Sequence, residues 1–243
     1  MARFYVPKGS IKGNSIFIGG KEAHHILDVM RLKKSDKVIT FDGTGKEYSG
    51  LIKDVSRDFL TVEITGIRDG ICVKGPRLAL IQAIPKKDKM DYIVEKATEI
   101  GVHSVVPVFC ERTVPVWDGA KRDAQQERWR KIAKEAAKQC GRADIPDVGD
   151  IKDFADAVKD AGAIGLRIIA ALSEDAVSLK DAVKGFKGEK IALAIGPEGD
   201  FTASEINAAR REGFKAVSLG RNVLKSDTAA LAALAILNYE FTG

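Results

Sequence analysis

The stretch IALAIGPEGDFTASEINAARREGFKAVSLGRNVLKSDT, residues 191–228, decides the fold. It opens with the unbroken apolar run Ile191–Ile195, which is typical of a parallel strand buried on both faces. Gly196-Pro197-Glu198-Gly199 ends that strand in a sharp turn, because glycine permits backbone conformations that are closed to other residues. Thr202-Ala203-Ser204-Glu205 is a capping box, so a helix is predicted to begin near Ala203.

The second half of the stretch repeats this order of strand, glycine turn and helix. Lys215–Leu219 is predicted to be a strand, and Gly220 breaks it. Ser226 or Asp227 is predicted to cap a last helix over Thr228–Tyr239. Two such corners close together form a ligand crevice at the carboxyl ends of parallel strands.

The amino-acid sequence of the two corners lacks the motifs of two common phosphate-binding sites. The sequence has neither the Gly-Lys-Ser/Thr of a P-loop nor a G-x-G-x-x-G after a strand. A G-x-x-G turn also clamps nucleic acid in KH domains, but Glu198 and Asp200 would repel phosphates. An acidic turn built of glycine suits a cationic or neutral ligand, and plain scaffold is the alternative.

The two corners carry a family resemblance. GPEGDFTASE followed by LGRNVLKSDTA resembles the bacterial small-subunit ribosomal RNA methyltransferase E family. EAHHILDVMRLKKSDKVITFDGTGKEY, KMDYIVEKATEIGVHSVVPVFCERT and the KQCGR at residues 138–142 extend the resemblance over nearly the whole chain. The family pattern usually has glycine at Asp200, arginine at Asn222 and Lys225, and glutamate at Asp227, so the chain departs from it at these positions.

The resemblance implies an S-adenosylmethionine-dependent enzyme of the knotted SPOUT class that methylates N3 of a uridine in small-subunit (16S) ribosomal RNA. It implies an α/β fold in which a PUA-like RNA-binding β-barrel over residues 1–70 precedes a SPOUT domain over residues 76–243. That second domain is expected to contain a parallel sheet and a C-terminal trefoil knot. Short strands between glycine turns in the first part, and alternating strands and helices in the second, agree with this division.

The cofactor is expected to lie along the two corners. The residues proposed to bind it are Leu172, Ile195, Gly196, Glu198, Gly199, Leu219, Gly220, Val223 and Leu224. Glycine is expected at the turns because a Cβ atom there would occupy ligand space.

Removing the N3 proton of uridine leaves an anion that a nearby cation stabilises. Lys225 is the first candidate for that cation and Arg142 the second, while Asp227 would orient a basic partner or help to remove the proton. Lysine in place of arginine keeps the charge but loses the bidentate fork. No metal is expected.

The charge of the chain indicates which kinds of partner it can bind. The chain has 243 residues and a net charge of +5, from 39 basic and 34 acidic side chains, with three widely separated cysteines. Basic clusters on such a surface suit RNA. The residues expected to contact RNA are Arg3, Arg31, Lys33 and Lys34. No apolar run resembles a signal peptide or a membrane span of about 20 residues, so a cytoplasmic protein is expected.

The last helix predicts an assembly. TAALAALAILNYE is small or apolar on nearly every side, so we expect a partner to cover what the domain itself does not. The resemblance likewise implies a homodimer of catalytic domains. Such a dimer would let Arg142 or the basic barrel of one chain serve the crevice of the other.

Two other functions remain open at this point: a non-catalytic ribosome-assembly RNA-binding protein on the same scaffold, and a SPOUT enzyme acting on another RNA position.

Overall fold

The computed structural model describes residues 3–242, which divide into two units. The first unit contains the chain up to Cys72 together with Ala137–Ile145, and the second contains Val73–Ala136 and the chain from Pro146 onward. Residues 137–145, which the sequence prediction assigned to the second domain, therefore pack with the first unit. Backbone hydrogen bonds from Gly45 to Ala143 and from Ala143 to Ile71 hold this segment there.

The first unit is built on one six-stranded sheet. Its elements are β1 (Arg3–Tyr5), β2 (Ile11–Lys12), β3 (Ser15–Gly19), α1 (Gly20–His24), a π-helical turn (His25–Val29), β4 (Lys37–Phe41), β5 (Lys46–Val55) and β6 (Phe59–Asp69). The strand order is β1-β4-β5-β6-β3-β2, and every pairing is antiparallel except that of β1 with β4. Alternate strand residues and Ile26 enclose a single apolar core. The helix that begins at Gly20 changes to π geometry at His25.

A buried carboxylate lies at the end of β4 in this unit. Asp42 accepts hydrogen bonds from the amide and hydroxyl of Thr44, at 2.9 and 2.7 Å, and from the Tyr48 hydroxyl at 3.0 Å. Burial by itself would raise the pKa of Asp42, but these bonds outweigh it, so the pKa lies below its usual value.

The second unit is an α/β layer structure. Its elements are β7 (Arg77–Ala83), α2 (Lys89–Ile100), β8 (Ser104–Phe109), α3 (Gly119–Cys140, whose last residues belong to the first unit), β9 (Asp147–Val148), β10 (Lys152–Asp153), α4 (Phe154–Asp160), β11 (Leu166–Ala170), β12 (Val177–Ser178), α5 (Leu179–Val183), β13 (Lys190–Ile195), α6 (Ala203–Arg211), β14 (Lys215–Ser218) and α7 (Ser226–Thr242). All strand pairs are parallel, in the order β10-β8-β7-β13-β11-β14-β12, with β9 beside β8.

The sheet is buried on both faces, as the apolar strand pattern predicts. On one face Ile191, Leu193 and Ile195 of β13 pack in a core shared with α2, α3, α5 and α7. On the other face Ala192 and Ala194 pack in a core shared with α4 and α6. The parallel α/β sheet predicted for this part of the chain is confirmed, and the trefoil knot stays a prediction.

Several element boundaries differ from the predicted ones for local reasons. Helices α4 and α5 are each preceded by a two-residue strand, because the sheet extends to β10 and β12. The last helix begins at Ser226, two residues before its predicted start. The capping box predicted at the start of α6 is present, with Thr202 and Glu205 bonding each other's backbone amide.

Candidate functional site

A cavity of about 260 Å³ opens at the carboxyl ends of β11, β13 and β14. Three loops enclose it: the one after β11, the first corner after β13, and the second corner between β14 and α7. It is lined by Ala170, Ala171, Leu172, Ile195, Gly196, Pro197, Glu198, Asp200, Val217, Ser218, Leu219, Gly220, Asn222, Val223, Leu224, Lys225, Ser226 and Ala229. The crevice that the two corners predict is therefore present as a formed cavity.

The cavity brings together eight of the nine residues proposed to bind the cofactor. These are Leu172, Ile195, Gly196, Glu198, Leu219, Gly220, Val223 and Leu224. Gly199 does not line the cavity. Its carbonyl accepts a hydrogen bond of 2.7 Å from Arg112, and a Cβ atom on it would lie 3.3 Å from the Arg112 side chain. Gly199 therefore faces the loop after β8, which a sequence pattern confined to one corner does not reveal.

Glycine is favoured at Gly196 and at Gly220, which both line the cavity, for different structural reasons. A Cβ atom on Gly196 would lie 3.2 Å from the ring of Phe201 and 3.3 Å from the Asp200 carboxylate, so it would meet protein atoms and not only ligand space. Gly220 has φ +132°, which L side chains rarely adopt, and a Cβ atom on it would meet no protein atom within 4 Å. The expectation that a side chain at the turns would enter the open cavity thus suits Gly220 better than Gly196.

One buried hydroxyl joins the two corners. Ser226, at the start of α7, donates a 2.6 Å hydrogen bond to the carbonyl of Gly196 in the first corner. The same hydroxyl accepts a 3.0 Å bond from Nε2 of Gln82, and both side chains are buried. Sequence reasoning treated Ser226 only as a helix cap and overlooked Gln82. The available signal was a glutamine directly after the apolar run Leu78–Ile81 of β7.

A lysine joins the acidic side chains of the two corners. Nζ of Lys89, the first residue of α2, lies 3.7 Å from Glu198 Oε1 and 3.3 Å from Asp227 Oδ1. The Glu198 carboxylate also accepts a hydrogen bond from the Lys86 amide at 3.1 Å. Glu198 and Asp227 are thus held by the segment leading into α2, which is distant in sequence from both.

The candidate catalytic residues occupy different positions. Among the lining residues described here, Lys225 is the one with a cationic side chain. It is exposed, and its ammonium group makes no hydrogen bond or ion pair within residues 3–242. Asp227 does not line the cavity and is paired with Lys89. The geometry therefore leaves Lys225 accessible from the cavity and engages Asp227 elsewhere.

Asp200 is a second carboxylate at the cavity. Its φ of +60° explains the glycine that the family pattern usually has here, because aspartate is among the few other residues that tolerate the left-handed region. Its Oδ1 accepts a 2.8 Å bond from the Phe201 amide, and its Oδ2 accepts a 3.0 Å bond from the Leu172 amide. The side chain therefore ties the loop after β11 to the first corner.

Arg142, the second catalytic candidate, lies in the first unit. Gly141, with φ +85°, follows the end of α3, and the Arg142 side chain after it is buried. Its Nη2 lies 2.7 Å from Asp144 Oδ2. The guanidinium is thus held by a carboxylate of its own unit.

The residues expected to contact RNA also belong to the first unit, and they differ in exposure. Arg3 is mostly buried: it bonds Glu47 at 2.9 Å and the Arg142 carbonyl at 2.6 Å, and its guanidinium lies 3.9 Å from the centre of the Phe41 ring. Arg31, Lys33 and Lys34 are exposed around the turn before β4. They remain available for contact, whereas Arg3 is held in place.

Within the described part of the chain, no group of three or more His, Cys, Asp or Glu side chains is arranged to hold a metal ion. None of the helices between residues 3 and 242 is long and apolar enough to cross a membrane.

Comparisons with known proteins agree with this architecture. Residues 73–238 match the RNA methyltransferase domain family, and residues 18–65 match the RNA methyltransferase PUA domain family. The first unit is accordingly PUA-like. The chain is 31% identical to the ribosomal RNA small subunit methyltransferase E of Bacillus subtilis, over 92% of this chain and 89% of that one.

Two solved structures that share the fold contain a bound cofactor. One is a methyltransferase from Legionella pneumophila in complex with S-adenosylmethionine, with a TM-score of 0.87 and 28% identity over 98% of this chain and 97% of the other. The other is a ribosomal RNA small subunit methyltransferase E from Neisseria gonorrhoeae bound to S-adenosylmethionine, with a TM-score of 0.84 and 26% identity over 99% and 98% of the two chains.

Proposed function

The chain belongs to the ribosomal RNA small subunit methyltransferase E family, and from that premise we propose that it methylates N3 of a specific uridine in small-subunit ribosomal RNA with S-adenosylmethionine as methyl donor. The observation that carries the proposal is the cavity between the two glycine corners, with the accessible Lys225 at its lining. Methyltransferase relatives of the same fold that bind this cofactor support the choice of donor.

The lining of the cavity fits the proposed cofactor. S-adenosylmethionine supplies an electrophilic methyl group on a cationic sulfonium. Leu172 and Val223 are 67% and 74% exposed, unusual for large apolar side chains, and both line the cavity, where they would pack against an adenine ring. Glu198 and Asp200 supply carboxylates that suit a cationic ligand, and the backbone at Gly196 and Gly220 allows close approach.

The chain's catalytic task is to position the uridine and to stabilise the charge that forms on it. Loss of the N3 proton spreads negative charge over O2 and O4, and the Lys225 ammonium would stabilise that anion. The absence of a protein partner for this ammonium in the described chain supports the role, because the cation is not neutralised before substrate binds. Asp227 would act through Lys89, its ion-pair partner, and not directly on the base.

A homodimer is part of the proposal. The face of α7 toward the sheet is buried, with Ala230, Ala233, Leu234 and Leu237 inaccessible. Ile236 and Tyr239 of the same helix are 44% and 80% exposed, and a second copy of the chain would cover them. For Arg142 of one chain to serve the crevice of the other, its guanidinium would have to exchange Asp144 for the substrate.

RNA binding would use the exposed basic side chains of the first unit. Arg31, Lys33 and Lys34 suit phosphate contacts, and we place the protein in the cytoplasm, where ribosomal RNA is found. Arg3 would contribute indirectly, by holding Glu47 and the backbone of Arg142.

Methylation of small ribosomal subunits in vitro tests the proposal. The purified protein is incubated with subunits lacking the modification and with isotopically labelled S-adenosylmethionine, and the digested nucleosides are identified by mass spectrometry. The expected product is N3-methyluridine. A label on ribose or guanine would indicate a different target of the same enzyme class. RNA binding with neither methylation nor cofactor binding would instead support a ribosome-assembly protein without catalytic activity.

A further inference from the structure

We propose that Asp200 makes the cavity selective for the charge of the methyl donor, so that it favours S-adenosylmethionine over the demethylated product S-adenosylhomocysteine. The inference rests on the proposed cofactor. It concerns a residue that departs from the family pattern, and it gives that departure a binding role.

The position of the carboxylate carries the argument. Asp200 lines the cavity, and both of its oxygens are fixed: Oδ1 by the Phe201 amide at 2.8 Å and Oδ2 by the Leu172 amide at 3.0 Å. A carboxylate oxygen has more than one acceptor site, so these bonds orient the group without exhausting it. Since both donors are neutral amides, the negative charge of Asp200 is not cancelled by them.

The other charged side chains of the lining are Glu198 and Lys225. Glu198 has an ion-pair partner in Lys89, at 3.7 Å, and also accepts a hydrogen bond from the Lys86 amide. Asp200 therefore supplies the lining carboxylate that has no ion-pair partner among the described residues. Its attraction for a ligand depends on whether that ligand carries a positive charge.

The two ligands differ by one methyl group and by the positive charge on sulfur. Transfer of the methyl group breaks its bond to sulfur, and that electron pair stays on sulfur, so a cationic sulfonium becomes a neutral thioether. The ammonium and carboxylate of the amino-acid part are the same in both ligands. Loss of attraction to Asp200 would then favour release of the product.

Two substitutions separate charge from geometry. Asp200→Asn removes the charge and can accept only one of the two amide hydrogen bonds, and asparagine tolerates the left-handed backbone at φ +60°. The lost bond affects both ligands, so the ratio of their dissociation constants reports the charge. Asp200→Gly restores the family residue, suits the same backbone, and removes both tethers. Asp175→Asn is the matched control, because Asp175 is exposed in the loop after β11 and does not line the cavity.

Dissociation constants of both ligands are measured by calorimetry without RNA. Two unit charges about 6 Å apart in a wet cavity interact strongly enough to change affinity by about three- to tenfold. We expect Asp200→Asn to weaken S-adenosylmethionine binding by that factor and S-adenosylhomocysteine binding by less than about twofold, with Asp175→Asn unchanged for both.

Equal weakening of the two ligands by Asp200→Asn would overturn the proposal, because Asp200 would then only hold the loops. Unchanged binding of both ligands would overturn it as well. A parent protein that binds neither ligand would refute the cofactor assignment itself. If uridine N3 proved to be the wrong target, the ratio of the two constants would be unaffected.

Discussion

Replacing Ser226 by alanine should destabilise the second unit and also weaken cofactor binding at the proposed site. The hydroxyl is buried and makes two hydrogen bonds, to the Gly196 carbonyl at 2.6 Å and from Gln82 at 3.0 Å. Gln82 Nε2 keeps its second bond, to the Ala83 carbonyl at 2.9 Å, so it is not stranded. The buried Gly196 carbonyl, in contrast, loses the bond that joins the two corners.

The expected loss follows from these two bonds. An orphaned buried acceptor costs about 1–3 kcal/mol and the second bond contributes about 1 kcal/mol, so the free energy of unfolding should fall by about 2–4 kcal/mol. We expect the affinity for S-adenosylmethionine to fall by about fivefold, or about 1 kcal/mol, because no hydrogen bond from residue 226 then fixes the two corners relative to each other.

Urea denaturation followed by tryptophan fluorescence measures this loss where it arises. The protein has two tryptophans, Trp117 and Trp129, and both belong to the second unit. Ser204→Ala is the matched control: Ser204 is exposed in the first turn of α6, and the same chemical change there should cost less than about 0.5 kcal/mol. A Ser226→Ala protein as stable as the control would refute the view that this hydroxyl joins the corners.

Three further predictions concern catalysis, assembly and pH. Lys225→Ala should lower the methylation rate by about 100-fold or more while changing cofactor affinity less than about threefold, and Lys225→Arg should keep most of the activity; unchanged turnover would remove Lys225 from the mechanism. Sedimentation should give about twice the 26.3 kDa chain mass, as expected for a homodimer. Tyr239 is exposed, and Tyr239→Asp should give a folded monomer. A parent protein that is active as a monomer would contradict a site shared between two chains. Because the pKa of Asp42 is lower in the folded than in the unfolded chain, its ionised form stabilises the fold above the usual aspartate pKa, and this stabilisation is lost as the pH falls through the folded value. The stability advantage of the parent over Asp42→Asn, measured by circular dichroism, should therefore be constant above about pH 5 and shrink as the pH is lowered below about pH 4; an advantage that does not change with pH would contradict it.

Local chemistry made the corners predictable from sequence. The apolar run before Gly196, the capping box at Thr202 and the stop at Gly220 are features whose physical causes lie within a few residues, and the structure contains all three. The resemblance added the domain order and the cofactor, which periodicity alone does not give.

Contacts between distant segments could not be predicted in the same way. The bond between Ser226 and Gln82 joins residues 144 positions apart, and that between Lys89 and Asp227 joins residues 138 apart. Arg142 was a candidate for the cation at the crevice, but Asp144 holds its guanidinium inside its own unit. A charged side chain read from sequence shows what it can bind, and only the fold shows what it already binds.

The order of strands sets a length scale for whatever occupies the cavity. β11 lies between β13 and β14, so the two corners start two strand spacings apart, about 10 Å at the usual spacing of parallel strands. Main-chain hydrogen bonds between the strands fix the distance between the ends of β13 and β14. Side-chain substitutions in the corners therefore leave this distance unchanged. A ligand that touches both corners must therefore span this distance. Adaptation to a different substrate would require changes in the length of the loops or in the side chains that line the cavity.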